Sequence, residues 1–303
     1  MNLGLAVGAA LGSALCFATS SALQQHGAAR APRGSGLHLD LLRHLVTRPI
    51  WLIGMVAAVG TLVLQAAALS AGELVLVQPL LVTGLLFALP LSVLLERRRP
   101  SLQEWVWAAI LVLGLGLFLL ASNPRPGPAL PDDGHLWQVG IVVLAVAVAV
   151  AVFGNALGGR HRAVLLGLAA GLTFGVTAAL LKYCCSLAAA EGVGWLFSSW
   201  PPYALLVVGI AGILLSQAAY QAGPLSGALP TLAIAEPLTA VLFGVGVFGE
   251  RLGTGPGCVV PAAVGFVVMG IAIVRLAGLA AGRGPTEARC ARVAREEREL
   301  AKV

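Results

Sequence analysis

Nine stretches of this chain are apolar over roughly the thickness of a membrane's hydrocarbon core. They run over 2–23, 50–71, 74–95, 105–121, 137–153, 164–187, 202–221, 225–248 and 257–279. Two are only 17 residues long, at the lower limit for a spanning helix. Within lipid every backbone polar group must be satisfied by the segment itself or by a closed barrel. Runs this long and this uniformly apolar predict spanning helices. Composition agrees: 58% of residues are hydrophobic and 11% charged, with a mean hydropathy of +0.92, against about 25% charge in a soluble domain. The expected fold class is an all-α polytopic membrane protein of nine transmembrane helices.

Charge predicts an orientation. With nine spans, 16 of the 19 basic residues fall on one side. They are Arg30, Arg33, Arg43, Arg48, Arg97, Arg98, Arg99, Arg160, Arg162, Arg275, Arg283, Arg289, Arg292, Arg295, Arg298 and Lys302. Only Arg125, Lys182 and Arg251 fall on the other. The positive-inside rule then predicts an external N-terminus and a cytoplasmic C-terminus in the cell membrane. Trp51, Trp105, Trp107, Trp137, Trp195 and Trp200 all sit at or just outside the ends of these runs, as an aromatic belt does. Residues 2–23 have no basic start and no small-residue exit, so no cleavable leader is expected.

The connections are short and leave no room for an inserted domain. The five cysteines (Cys16, Cys184, Cys185, Cys258, Cys290) lack zinc spacing and suggest no disulfide framework. Basic residues lie between or after apolar runs, which argues against nucleic acid. The histidines fall in loops without ligand spacing, and no phosphate-cradling loop is present. No enzyme and no cofactor is expected.

An internal repeat organises the chain. Cys16–Leu23 aligns with Thr173–Leu180 at an offset of 157 residues. Gln65–Ser70 aligns with Gln221–Ser226 at 156, and Gln78-Pro79-Leu80 with Glu236-Pro237-Leu238 at 158. Three matches in order predict a duplication: a first four-helix repeat over 1–121, a linker with the fifth helix over 122–163, and a second repeat over 164–279. A charged cytoplasmic tail follows over 280–303. Five crossings separate equivalent helices, so the halves would be inverted. Such repeats characterise transporters, whose site lies where Pro-interrupted segments occupy matching positions.

That rule selects Gln78-Pro79 and Glu236-Pro237, with Pro79 and Pro237 as hinges. A carboxylate at the centre of a 24-residue apolar run costs about 2.5–3.5 kcal/mol to insert and turns to a cavity or partner. Pro237 also frees the carbonyl near Ala233. Gln65, Gln217, Tyr220 and Gln221 add polar groups to the expected lining, as does Thr177. The alternative for each threonine is a bond to its own helix. Gly4, Gly8, Gly12 and Gly167, Gly171, Gly175 recur one turn apart, a spacing that serves helix packing. Lys182 is expected to snorkel to the headgroups, with an ion pair to Glu236 or a lid as the alternative. Glu73 is expected in solvent at the external mouth, and Glu250 paired with Arg251.

The pattern resembles the drug/metabolite transporter superfamily (the EamA-like fold), each half looking like one four-helix small multidrug resistance unit. It is most similar to the NIPA-like branch, named for a magnesium transporter. The residues that carry this are Trp51-Leu52-Ile53-Gly54, Ala68-Leu69, Val77-Gln78-Pro79-Leu80 and the turn Phe248-Gly249-Glu250-Arg251-Leu252. The first-helix glutamate of the small units has no counterpart, so proton-coupled antiport through it is not carried over. The resemblance implies a small-solute transporter working by alternating access, with a small molecule or a cation as substrate. Magnesium is the alternative, held by Glu236 with retained waters. A non-transporting scaffold and a lipid-linked carrier stay open, as does a homodimer.

Overall fold

The computed structural model describes residues 2–28, 49–87, 90–91, 101–127, 130–131, 133–157, 159–222, 225–253 and 256–281. The expected tail at 280–303 lies almost wholly outside them. The described part is helical. In order it comprises α1 (Leu3–Ala28), α2 (Pro49–Ala71), α3 (Leu74–Leu81), α4 (Leu102–Ser122), α5 (Asp133–Ala156), α6 (Gly159–Glu191), the short α7 (Val193–Leu196), α8 (Pro201–Ala222), α9 (Leu225–Gly246) and α10 (Pro256–Ala281).

Among the described residues, α1, α2, α4, α5, α6 and α10 are long and apolar enough to cross a membrane. Three shorter apolar helical stretches run over 74–87, 201–216 and 230–246. The outward faces are apolar as well. Val56, Leu62 and Val63 on α2, and Val142, Val148 and Val152 on α5, are all more than half exposed. In water such surface would be untenable; in lipid it is the solvent-facing side. The chain is a multi-pass α-helical membrane protein.

Two helices depart from their sequence-based outlines. The run 74–95 is interrupted early. Pro79 removes one N–H, and the next turn tightens: Val82 N–H donates to Pro79 O (3.2 Å) and Thr83 N–H to Leu80 O (3.0 Å). Helical geometry resumes at 84–87. Pro237, by contrast, lies within an uninterrupted α9. The other departure is α6, which reaches 33 residues. Its ends at 159–163 and 188–191 continue the helix past the apolar core.

Packing pairs α1 with α2 and α6 with α8; α6 also packs against α9. α3 rests on α1 and α9, α4 on α10, and α5 against α6. Lipid gives no hydrophobic drive to bring helices together, so close van der Waals fit must do it. Glycine supplies that fit. An added methyl at Gly171 would sit 2.6 Å from Ala235 Cβ and 2.8 Å from Leu232 O, and one at Gly167 would sit 2.6 Å from Ala228 O. At Gly175 it would overlap Thr239. The α6 glycines therefore pack, as their spacing suggested. The α1 glycines form no such face: Gly8 is exposed with nothing within 4 Å of an added methyl, and a methyl at Gly12 would meet Leu64 Cδ1 at 3.3 Å.

The α4–α10 crossing is reciprocal. A methyl at Gly114 would meet Met269 N (2.8 Å) and Gly265 O (3.0 Å); one at Gly265 would meet Phe118 N (2.6 Å) and Gly114 O (2.7 Å). Exchanging the helices maps 114 onto 265 and 118 onto 269, the same displacement of 151 residues in both. We predict that Gly171→Val and Gly265→Val each lose about 1–3 kcal/mol through overpacking. Gly8→Val should stay within experimental error of wild type. Thermal unfolding of the three variants in detergent checks this.

Candidate functional site

One end of the bundle gathers the connections after α2, α4, α6 and α9. Arg125 and Arg251 exchange backbone hydrogen bonds (2.9 and 3.1 Å), and Gly253 N–H donates to Ser122 O (2.9 Å). Asn123 terminates α4 in the left-handed region, at φ 36°. The turn after α9 uses Gly249 at φ 60°, where a side chain would be strained. Phe248 N–H donates to Phe243 O and Glu250 N–H to Gly244 O (2.8 Å). Gly244 has no side chain, and a methyl there would fall 2.6 Å from Glu250 Oε2. Two glycines thus fold the Glu250 carboxylate back into the bundle.

That carboxylate ends a chain of buried charge. Lys182 Nζ lies 2.6 Å from Glu250 Oε1 and 2.8 Å from Glu73 Oε2, and it also donates to Gly72 O (3.4 Å). Glu250 accepts the N–H groups of Leu74 (2.8 Å) and Val75 (2.9 Å), the first turn of α3. Those donors have no partner within the helix, and a carboxylate there also meets the positive end of the helix dipole. The Phe248 ring covers the ammonium at 5.3 Å. All three side chains are buried. Burial pushes the Glu250 carboxyl up, with Lys182 and the two α3 N–H groups pulling the other way.

These positions correct three expectations. Lys182 does not snorkel; it lies in a ready-made pair of acceptors, and the alternative partner Glu236 is not its partner here. Glu73 is not in solvent, because the α2–α3 hairpin tucks against α1, where a methyl on Gly72 would meet Ala6 Cβ at 2.6 Å. Glu250 pairs with Lys182 rather than Arg251, whose backbone is bound to Arg125 and whose side chain is exposed.

The midplane candidates divide. Gln78 on α3 is buried, and its Nε2 has no hydrogen-bond partner among the described residues. Glu236 is half-buried on α9, its backbone held against the α6 seam: a methyl at Gly171 would be 3.1 Å from Glu236 N, and one at Gly175 3.1 Å from Glu236 O. The helices bearing these two residues pack on each other. Gln65 is half-buried on α2. Thr177 donates to Thr173 O (2.9 Å), the local bond weighed as its alternative, and Thr173 and Thr239 do likewise. The side chains of Gln217, Tyr220 and Gln221 lie outside the described residues, although their backbones belong to α8.

Comparison with known proteins adds one firm result. The chain is 33% identical over 247 residues to the Uncharacterized protein Cgl0250/cg0304 of Corynebacterium glutamicum, which covers 82% of this chain and 86% of that protein. The chain belongs to the family of that corynebacterial protein. No family model and no solved structure matches.

Removing one member of a buried charge cluster strands the others, at a cost of about 3–5 kcal/mol. Lys182→Met should therefore lower unfolding stability by that order. Adding Glu73→Gln and Glu250→Gln to it should recover part of the loss, because no uncompensated carboxylate then stays buried. Denaturant unfolding of the single and triple variants reads both effects.

Proposed function

We propose that this chain is a drug/metabolite-type transporter, similar to the NIPA-like branch. Nine spans would form two inverted four-helix halves joined by α5, and a small solute would move by alternating access. The observation that carries this reading is the pairing of α3 with α9, the two helices that bear Gln78-Pro79 and Glu236-Pro237. Those are the matched Pro-bearing positions where a repeat transporter places its site.

Other observations support it. α1 on α2 echoes α6 on α8, and the α4–α10 contact maps onto itself when the halves are exchanged. The unpartnered Gln78 amide is a donor whose unmet bond costs about 1–3 kcal/mol; a substrate oxygen would satisfy it. Glu236 would take the cationic part of the substrate or a coupling proton. The cluster of Glu73, Lys182 and Glu250 would close the outer end, since it ties the first half's hairpin to two parts of the second half. Outward opening would then require separating Lys182 from at least one carboxylate. In this reading the N-terminus is external and the C-terminus cytoplasmic.

Magnesium remains the other cargo. Among the described residues no group of three carboxylate, histidine or cysteine side chains gathers to hold a metal. A hydrated magnesium ion would therefore rely on Glu236 and amides.

The test is flux into proteoliposomes holding the purified chain. A magnesium-sensitive dye inside reports the ion, and a panel of labelled amino acids, amines and sugars reports organic solutes. We expect one organic solute to enter with wild type and its flux to fall at least tenfold with Glu236→Gln. Dye response in place of solute flux would move the reading to a cation pathway. No flux of any probe, with reconstitution verified, would overturn transport.

A further inference from the structure

At the opposite end of the bundle, the start of α4 and the end of α10 enclose a groove of about 310 Å³. Gln103 and Trp107 contribute from α4, with Val274, Arg275, Gly278 and Leu279 from α10. The helices run antiparallel here, as the contacts of Gly114 and Gly265 require. Arg275 lies six residues before Ala281, the last described residue of α10, and Trp107 five residues inside the α4 start at Leu102. At 1.5 Å per residue Trp107 stands about 7–8 Å in from the start of α4.

A guanidinium is permanently charged, and one on a spanning helix needs an anion or a route to water. Arg275 is exposed and makes no ion pair among the described residues; its contact is the face of Trp107, 5.5 Å away. The nearest carboxylate in sequence to the α4 wall is Glu104. It is fully buried and accepts from Ser101 N–H (2.7 Å) in the capping box that starts α4. It is therefore committed to the helix cap. One turn beyond Arg275, Gly278 leaves open space, with no atom within 4 Å of where its Cβ would be.

A cation oriented by an aromatic face, an amide beside it, an apolar floor and an open side toward lipid make a specific combination. A lipid-facing groove near the end of a spanning helix can receive the phosphate of a phospholipid. Its acyl chains would continue along the apolar faces of α4 and α10, where Val106, Leu113, Val267 and Ile271 are exposed. Arginine matches phosphate oxygens with paired donors, and basic pockets between spanning helices bind anionic headgroups.

We propose that this groove is a binding site for an anionic phospholipid, with Arg275 on the phosphate and Trp107 fixing the guanidinium. The proposal requires only that α4 and α10 span the membrane; it holds whether or not the chain transports a solute.

Native mass spectrometry of the purified full chain, titrated with phosphatidylglycerol or phosphatidylcholine, tests it. Wild type should retain phosphatidylglycerol in preference to phosphatidylcholine. Arg275→Gln should weaken phosphatidylglycerol retention about tenfold, the loss of one charge-assisted contact, and leave phosphatidylcholine unchanged. Gly278→Leu fills the open side without removing the charge, and it should reduce retention too. Equal retention of both lipids by wild type would overturn the proposal, as would full phosphatidylglycerol binding by both variants. Displacement of phosphatidylglycerol by millimolar inorganic phosphate would assign the groove to a free anion instead of a lipid.

Discussion

A buried ammonium shared between two carboxylates holds one end of this protein together. Lys182 comes from α6, Glu73 from the α2–α3 hairpin, and Glu250 from the turn after α9. Glu250 then anchors the first turn of α3 through two backbone N–H groups. Desolvating three charges is expensive, and the arrangement offsets that by leaving few donors or acceptors idle. The neighbouring architecture serves it. Gly244 makes space for the carboxylate, Gly249 turns the chain toward it, and Phe248 shields the ammonium from above.

The second organising device is steric. Between α6 and α9, and between α4 and α10, glycine lets backbone approach backbone where lipid supplies no other drive for association. The α6–α9 seam runs directly behind Glu236. A carboxylate and a close-packed seam thus occupy the same stretch of α9, so packing fixes the position of Glu236.

Much of the helix plan was legible in the sequence, because a spanning helix needs little more than sustained apolar length. The glycine spacing on α6 announced a packing face and delivered one. What the sequence concealed was partnership. Lys182 stands 109 positions from Glu73 and 68 from Glu250, and nothing local to any of them names the others. Read singly, each had a cheaper explanation: snorkelling, solvation, a neighbouring arginine. The clue was collective, since Glu73 and Glu250 fall in connections, and Lys182 near the end of an apolar run, at the same end of the bundle. Pro79 and Pro237 also looked alike in the sequence. The structure separates them: α3 breaks two residues beyond its proline, whereas α9, braced by the α6 seam, continues through its own.

The glycines of α1 and α6 end up mechanically unequal. Gly8 is exposed on the outside of α1, while behind Gly167, Gly171 and Gly175 not even a methyl fits. A joint without slack transmits any displacement along α9 straight into α6, and from there to Lys182 at its far end. The α6–α9 seam is therefore the stiff joint of this molecule.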